Sequence, residues 1–247
     1  TDQTDHAPLF PFAASADGFS GHPHDTDVTP ASNANHAPAQ HAETKPALQA
    51  ALNTAFAEPP EGGRNTLAVI VMHRGEVVAE QYGAPVTATT PMQGWSMNKS
   101  LMATFIGRQV DQGNLDLDGP VVSALQAAGA GSRTLGKVDP RLTLRHLLSM
   151  TTGFDFSERY FPGDDVTDML YRQPGMWLSA PATGHARPPG EQFAYSSGDI
   201  NTASLMWQQS LEGQAYPDWI DAHFSRPLGI QETVSYTHLR AHETLLY

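Results

Sequence analysis

The stretch GWSMNKS, residues 94–100, sets Ser96 and Lys99 three positions apart. On a helix that spacing places both side chains on one face within a turn, close enough for the amine to reach the hydroxyl. A serine hydroxyl is a poor nucleophile until a neighbouring base takes its proton, and a lysine amine can do this when its surroundings favour the neutral form. Three lysines and 16 serines in 247 residues make one chance match unremarkable. A capping serine beside a solvated lysine is the plain alternative, so the pair gains weight only from its neighbours.

On the C-terminal side, Leu101, Phe105 and Ile106 share one stripe, with Met102 and Gln109 beside it. The pattern predicts a helix that opens at or near Ser96 and stops at Gly113. On the N-terminal side, residues 66–83 carry two β-branched runs around Arg74-Gly75, the pattern of a hairpin of core strands. Before it, Leu48, Leu52 and Phe56 recur at helical spacing behind Pro46.

Farther along, LTLRHLLSMTTGFDF (142–156) predicts a short helix capped by Thr143 and closed before Gly153. SERYFPGDDVTDMLYR (157–172) reads as a loop leading into a short helix. EQFAYSSGDINTASLMWQQSLEG (191–213) reads as an approach segment, a serine-rich turn and a helix with Leu205 and Met206 inward. PDWIDAHFSRPLGI (217–230) predicts a helix from Pro217 to near Gly229.

Residues 1–45 show no periodicity and hold five of the eleven histidines, so they are expected to form an extended arm. Within it His22, His24, Asp25 and Asp27 stand close together. Flexible polar segments collect such residues, and a metal site also needs fixed geometry, so no metal and no cofactor is expected.

A chain of 247 residues is long enough for a large core. Its 26 acidic against 14 basic residues give a net charge of −12, which disfavours nucleic acid and anionic membrane surfaces as partners. No run approaches the ~20 apolar residues of a membrane-spanning helix. The absence of cysteine excludes disulfides and thiol catalysis and leaves cytoplasm, periplasm and secretion all open. Oligomeric state is likewise undetermined.

GWSMNKS at a helix start after a hairpin, then LTLRHLLSMTTGFDF, then PPGEQFAYSSGDIN before a helix, is an ordered set. Over about residues 46–230 it resembles the serine β-lactamase-like superfamily, in particular class C β-lactamases, family VIII esterases and nylon-oligomer (aminohexanoate-dimer) hydrolases. The resemblance implies an α+β fold in which helices flank an antiparallel sheet beside a helical lobe.

It further implies that Ser96 is the acylated nucleophile, Lys99 its proton-transfer partner and Tyr195 the phenol that relays protons to the leaving group. Ser197 stands where β-lactamases and penicillin-binding proteins usually carry Asn, a departure that suits esters and linear amides better than β-lactams. Tyr160 matches a substrate-loop tyrosine of the nylon-oligomer hydrolases, and Trp95 is expected to wall the pocket. Asp164, Asp165 and Asp168 read as a solvated acidic loop. No Gly-x-Ser-x-Gly elbow is present, so His146 and His185 are not expected to form a Ser-His-Asp triad.

The superfamily's third motif, Lys/His-x-Gly on an edge strand, is absent, and residues 234–244 resemble a translated sequencing adapter. The expected division is therefore an arm (1–45), a partial hydrolase domain lacking its C-terminal strands (46–233) and a foreign tail (234–247). Loss of one oxyanion donor typically costs ~10²–10³ in rate, so this stretch alone is expected to be inactive. The expected activity of the complete domain is that of a serine hydrolase acting on a small-molecule ester or amide. The alternatives are a β-lactamase or D-Ala-D-Ala carboxypeptidase and, from another class, a non-catalytic ligand-binding member.

Overall fold

The computed structural model describes residues 45–230 apart from 58 and 60. The arm, its histidines and the tail lie outside the described residues. The described residues divide between Pro91 and Met92 into two compact units.

In the first unit, α1 (Pro46–Phe56) begins with its proline in the first turn and buries Leu52, as the apolar spacing predicts. Strands β1 (Ala68–His73) and β2 (Glu76–Tyr82) pair antiparallel, from Ala68 opposite Tyr82 to His73 opposite Glu76. Arg74 and Gly75 both take positive φ, 52° and 83°, the conformation a two-residue hairpin turn requires. The register slips between Val71 and Met72, which leaves Val78 without a partner. The hairpin does not supply core strands here, and its apolar face is uncovered, as expected of a partial domain without the sheet's further strands: Ile70 and Met72 are exposed, and of the hairpin only Ala79 is buried. The alternation that marks a strand reports that one face is apolar; it does not report what covers that face.

The second unit is helical. A 3₁₀ turn, Trp95–Met97, leads into α2 (Asn98–Asp111). Helices α3 (Val121–Ala127), α4 (Ser132–Leu135), α5 (Leu144–Leu148), α6 (Asp165–Arg172) and α7 (Ser179–Thr183) follow. The longest of the later helices is α8 (Ser197–Gln209), and α9 (Tyr216–Ile220) runs on into a π turn, Asp221–Ser225. Among the described residues no helix is long and apolar enough to cross a membrane.

Helices α2 and α8 hold the core. Phe105 stacks on Trp207 with ring centroids 5.6 Å apart, and Trp219 meets both edge-on at 5.8 and 5.4 Å. Met102, Ile106, Leu125, Leu144, Leu147 and Leu205 fill the space around them. Offset and edge-on aromatic contacts add about 0.5–1.5 kcal/mol per pair to the area they bury. Because α2 carries the Ser96 pair at its start and α8 carries the Tyr195 segment at its start, this core fixes where the two helix N-termini stand.

A second device holds the approach to α8. Residues 150–155 run beside 184–194, with Asp155 N–H donating to Gly184 O, Ala186 N–H to Gly153 O and Ala194 N–H to Met150 O. The strip requires glycine at 153: φ is 74°, and an added Cβ would lie 2.1 Å from Arg187 O. Gly198 likewise lets α8 lie against α7, where a Cβ would meet that of Ala180 at 2.5 Å.

Candidate active site

The nucleophile candidate sits on a strained entry. Trp95, directly before Ser96, has φ 43°, a left-handed conformation rare outside glycine and asparagine. The 3₁₀ turn it opens leaves Ser96 exposed and puts Lys99 one turn on, with Nζ 3.2 Å from Ser96 Oγ. Tyr195, in the segment ahead of α8, donates its phenol hydrogen to Ser96 Oγ at 2.7 Å. Lys99 Nζ also lies 4.8 Å from the centroid of the Tyr195 ring, within cation–π range, and donates to Ser197 Oγ at 3.1 Å. Residues 96, 99, 195 and 197, about a hundred positions apart in two pairs, thus meet in one hydrogen-bonded cluster.

One member was not anticipated. Glu158 accepts from Ser197 N at 2.8 Å through Oε2, and from Ser197 Oγ at 2.5 Å and Tyr160 OH at 3.2 Å through Oε1. No spacing rule marks it, because acidic residues crowd residues 155–168 and only the folded loop selects one of them. Asp164 builds that loop. It is buried and accepts from Ser157 Oγ, Arg159 and Phe161 N, while Asp165 accepts from Ser157 N. The Phe161 N–H foremost, with Arg159 and Ser157, holds the Asp164 carboxyl below the usual carboxylate range. The solvated acidic loop is therefore corrected: Asp164 and Asp165 are internal ties, and Asp168 pairs with Arg172 at 3.2 Å.

The loop presents Tyr160 at φ 62°, half-exposed beside the cluster. Burial, with the Glu158 charge adding to it, raises the Tyr160 phenol above its ordinary range. Trp95, Ser96, Lys99, Tyr160 and Ser197 line one cleft together with Asn98, Asn201 and the apolar Met169, Leu170, Met176 and Ile200. Behind the cluster Asp199 is almost wholly buried, taking hydrogen bonds from the Thr152 and Ser196 hydroxyls. Burial, reinforced by the Glu158 charge, pushes its carboxyl up to about 7 against those bonds.

The two histidines stand apart from this cluster. His146 is tied to Thr143 within α5, and His185 stacks on Phe154 at 4.5 Å with Nδ1 against Thr152 O and Nε2 accepting from Asp139 N. Burial lowers the His185 pKa.

The family model described as Beta-lactamase matches residues 40–245. This chain belongs to the beta-lactamase family. Among curated proteins, penicillin-binding protein 4 of Amycolatopsis lactamdurans is 28% identical over 179 residues, 71% of this chain and 42% of that protein. A D-stereospecific amidohydrolase from Streptomyces superposes with a TM-score of 0.51 at 21% identity, over 64% of this chain and 48% of the other. The octameric penicillin-binding protein homologue from Pyrococcus abyssi gives 0.51 at 20%, over 69% and 40%. A protein assigned as a 6-aminohexanoate-dimer hydrolase in Bacillus anthracis gives 0.50 at 16%, over 63% and 42%. The chain thus spans less than half the length of each of these relatives. The fold is that of the beta-lactamases and penicillin-binding proteins, α+β and rich in helix. This beta-lactamase-family chain is hydrolase-related, and its Ser-x-x-Lys and Tyr-x-Ser segments lie inside the matched residues.

Proposed function

We propose that this beta-lactamase-family chain is the part of a serine hydrolase that forms an acyl-enzyme on Ser96, with small esters or linear amides as substrates. The observation that carries the reading is the convergence on Ser96 Oγ of the Lys99 amine at 3.2 Å and the Tyr195 phenol at 2.7 Å. In the first step Ser96 Oγ attacks the substrate carbonyl carbon while the Ser96 proton passes to Lys99, and the carbonyl π pair moves to oxygen. The proton then leaves through the Tyr195 phenol to the departing alkoxide or amine, and the carbonyl re-forms as an ester of Ser96. Water on the same face reverses the sequence and frees the acid. Positive partial charge at the start of α2 favours the developing oxyanion. The apolar wall of Met169, Leu170, Met176 and Ile200 suits an uncharged acyl group.

The second reading, a β-lactamase or D-Ala-D-Ala carboxypeptidase, has in its favour the 28%-identical penicillin-binding protein. Against it stands Ser197. Its hydroxyl is engaged by Glu158 and Lys99, and it offers no side-chain amide to hold a β-lactam carbonyl. A third reading, in which the same cleft only binds its ligand, predicts no covalent adduct.

Intact-mass measurement of the complete gene product after exposure to a p-nitrophenyl acylate and to nitrocefin separates the three. The expected result is one acyl group per chain, lost in Ser96→Ala, and a kcat/KM for the ester above that for nitrocefin. The reverse order selects the β-lactam reading, and absence of any adduct selects ligand binding.

A further inference from the structure

The position of Glu158 carries an inference about how the reacting amine is aimed, and it rests on the reading of Ser96 as acylated. We propose that Glu158 is a positioning residue for acylation: it orients the Ser197 hydroxyl so that its oxygen, and not its hydrogen, faces Lys99.

The hydrogen count supports this. Ser197 Oγ carries one hydrogen. The Glu158 Oε1 contact at 2.5 Å takes it, because a carboxylate is an acceptor only. What Ser197 then offers Lys99, 3.1 Å away, is a lone pair. One Lys99 N–H is committed to that lone pair. The tetrahedral nitrogen is thereby held with another of its directions toward Ser96 Oγ at 3.2 Å. If the carboxylate is removed, the Ser197 hydroxyl is free to turn its hydrogen onto the amine, where it competes with the Ser96 hydrogen for the same nitrogen lone pair. During attack the Ser96 proton becomes the third hydrogen of a Lys99 ammonium. That cation is then backed by the Ser197 oxygen and, one hydrogen bond farther, by the Glu158 carboxylate, which takes no part in the proton transfer.

The charged and titratable groups around this relay are Lys99, Tyr195, Tyr160, Glu158 and the buried Asp199. Arg159, the next residue along, is turned to Asp164 at 2.8 Å.

Glu158 has a second, purely structural use. Its Oε2 takes the backbone N–H of Ser197, the first residue of α8, and a negative charge suits a helix N-terminus. The two roles separate because alanine at 197 keeps the N–H and loses the hydroxyl. The test measures the burst of acylation of the complete gene product by p-nitrophenyl acetate, its KM and the melting temperature. The variants are Glu158→Gln, Ser197→Ala and the double substitution.

Glu158→Gln is expected to slow acylation about 10- to 100-fold, as small misplacements of reacting groups do, with KM within about twofold. In the Ser197→Ala background the same change is expected to cost less than about threefold, since the hydroxyl it orients is gone. An equal loss in both backgrounds identifies a helix clamp alone and overturns the proposal, as does an unaltered burst in Glu158→Gln. Should Glu158→Gln lose its cooperative melt, Ser197→Ala, which retains the clamp, must by itself slow acylation about tenfold or more. A wild-type burst in Ser197→Ala then overturns it. A parent protein that never acylates Ser96 overturns the hydrolase reading and this inference together, whereas acylation that ignores Glu158 overturns this inference alone.

Discussion

The starts of α2 and α8 are both serine-rich helix N-termini, and they are built to opposite ends. At α2 no side chain caps the helix: Met97 occupies the cap position, and Ser96 and Lys99 turn their polar atoms toward each other and toward Tyr195. At α8 the first turn is tied several times over. Ser196 Oγ accepts from Asp199 N at 3.0 Å and donates back to the Asp199 carboxyl, Thr152 reaches the same carboxyl, and Glu158 takes the Ser197 N–H. Capping groups that serve the backbone are committed, whereas a nucleophile and its proton partner must exchange hydrogen bonds as bonds form and break. On the proposed reading, one helix start is left available for chemistry and the other is held fixed to aim at it.

The strongest way to break that contrast is to remove a group of the proposed proton path. Lys99→Ala and Tyr195→Phe are each expected to lower kcat/KM for a p-nitrophenyl ester about 10³-fold or more, with a melting temperature close to that of the parent. The double variant is expected to fall little further, because groups that act as one proton-transfer unit do not add. Near-normal turnover in Lys99→Ala, measured in the complete gene product, would remove the base from the scheme.

The fixed end is probed through Asp199. Its carboxyl, about 7 in the folded chain, lies above the ordinary value near 3.9, so the native state binds the extra proton between those limits. Stability from this group is greatest below about pH 4 and is lost as pH rises through 7. Asp199→Asn, which stays neutral, is expected to gain on the parent by about 2–4 kcal/mol between pH 4 and pH 8 in urea unfolding. Asp118 and Asp139 contribute in the opposite sense, since Arg145 and Arg141 lower their carboxyls, and they cancel in the comparison of variant with parent. A difference that stays flat with pH contradicts a strained buried acid.

The smallest effect is expected at the loop between the two ends. Tyr160→Phe removes one hydrogen bond to Glu158 and leaves the ring on the cleft. KM is expected to rise by about fivefold, corresponding to about 1 kcal/mol, with kcat little altered. A fall in kcat comparable to that of Tyr195→Phe would move Tyr160 from the cleft wall into the proton path.

Much of this was legible locally. The helix at 46–56 with Leu52 inward, the turn at Arg74-Gly75, the stop at Gly113 and the inward Leu205 and Met206 all follow from spacing and turn chemistry, which act over a few residues. The order of the Ser-x-x-Lys and Tyr-x-Ser segments, with the fold it implied, was likewise carried by the sequence. The helices at 121–127 and 132–135 were not anticipated, and the hairpin proved more exposed than its composition suggests.

What the sequence by itself determined was which residues could react and which segments could become helix or strand. Only the tertiary structure decided that Glu158, among many acids, closes on Ser197, that Asp164 turns inward, and that Thr152 reaches Asp199 across 47 positions. Spacing along a chain encodes geometry only within one helix or one strand. A hydrogen bond between distant loops depends on the packing of Phe105, Trp207 and Trp219, which sets the helix starts side by side and which no local pattern contains.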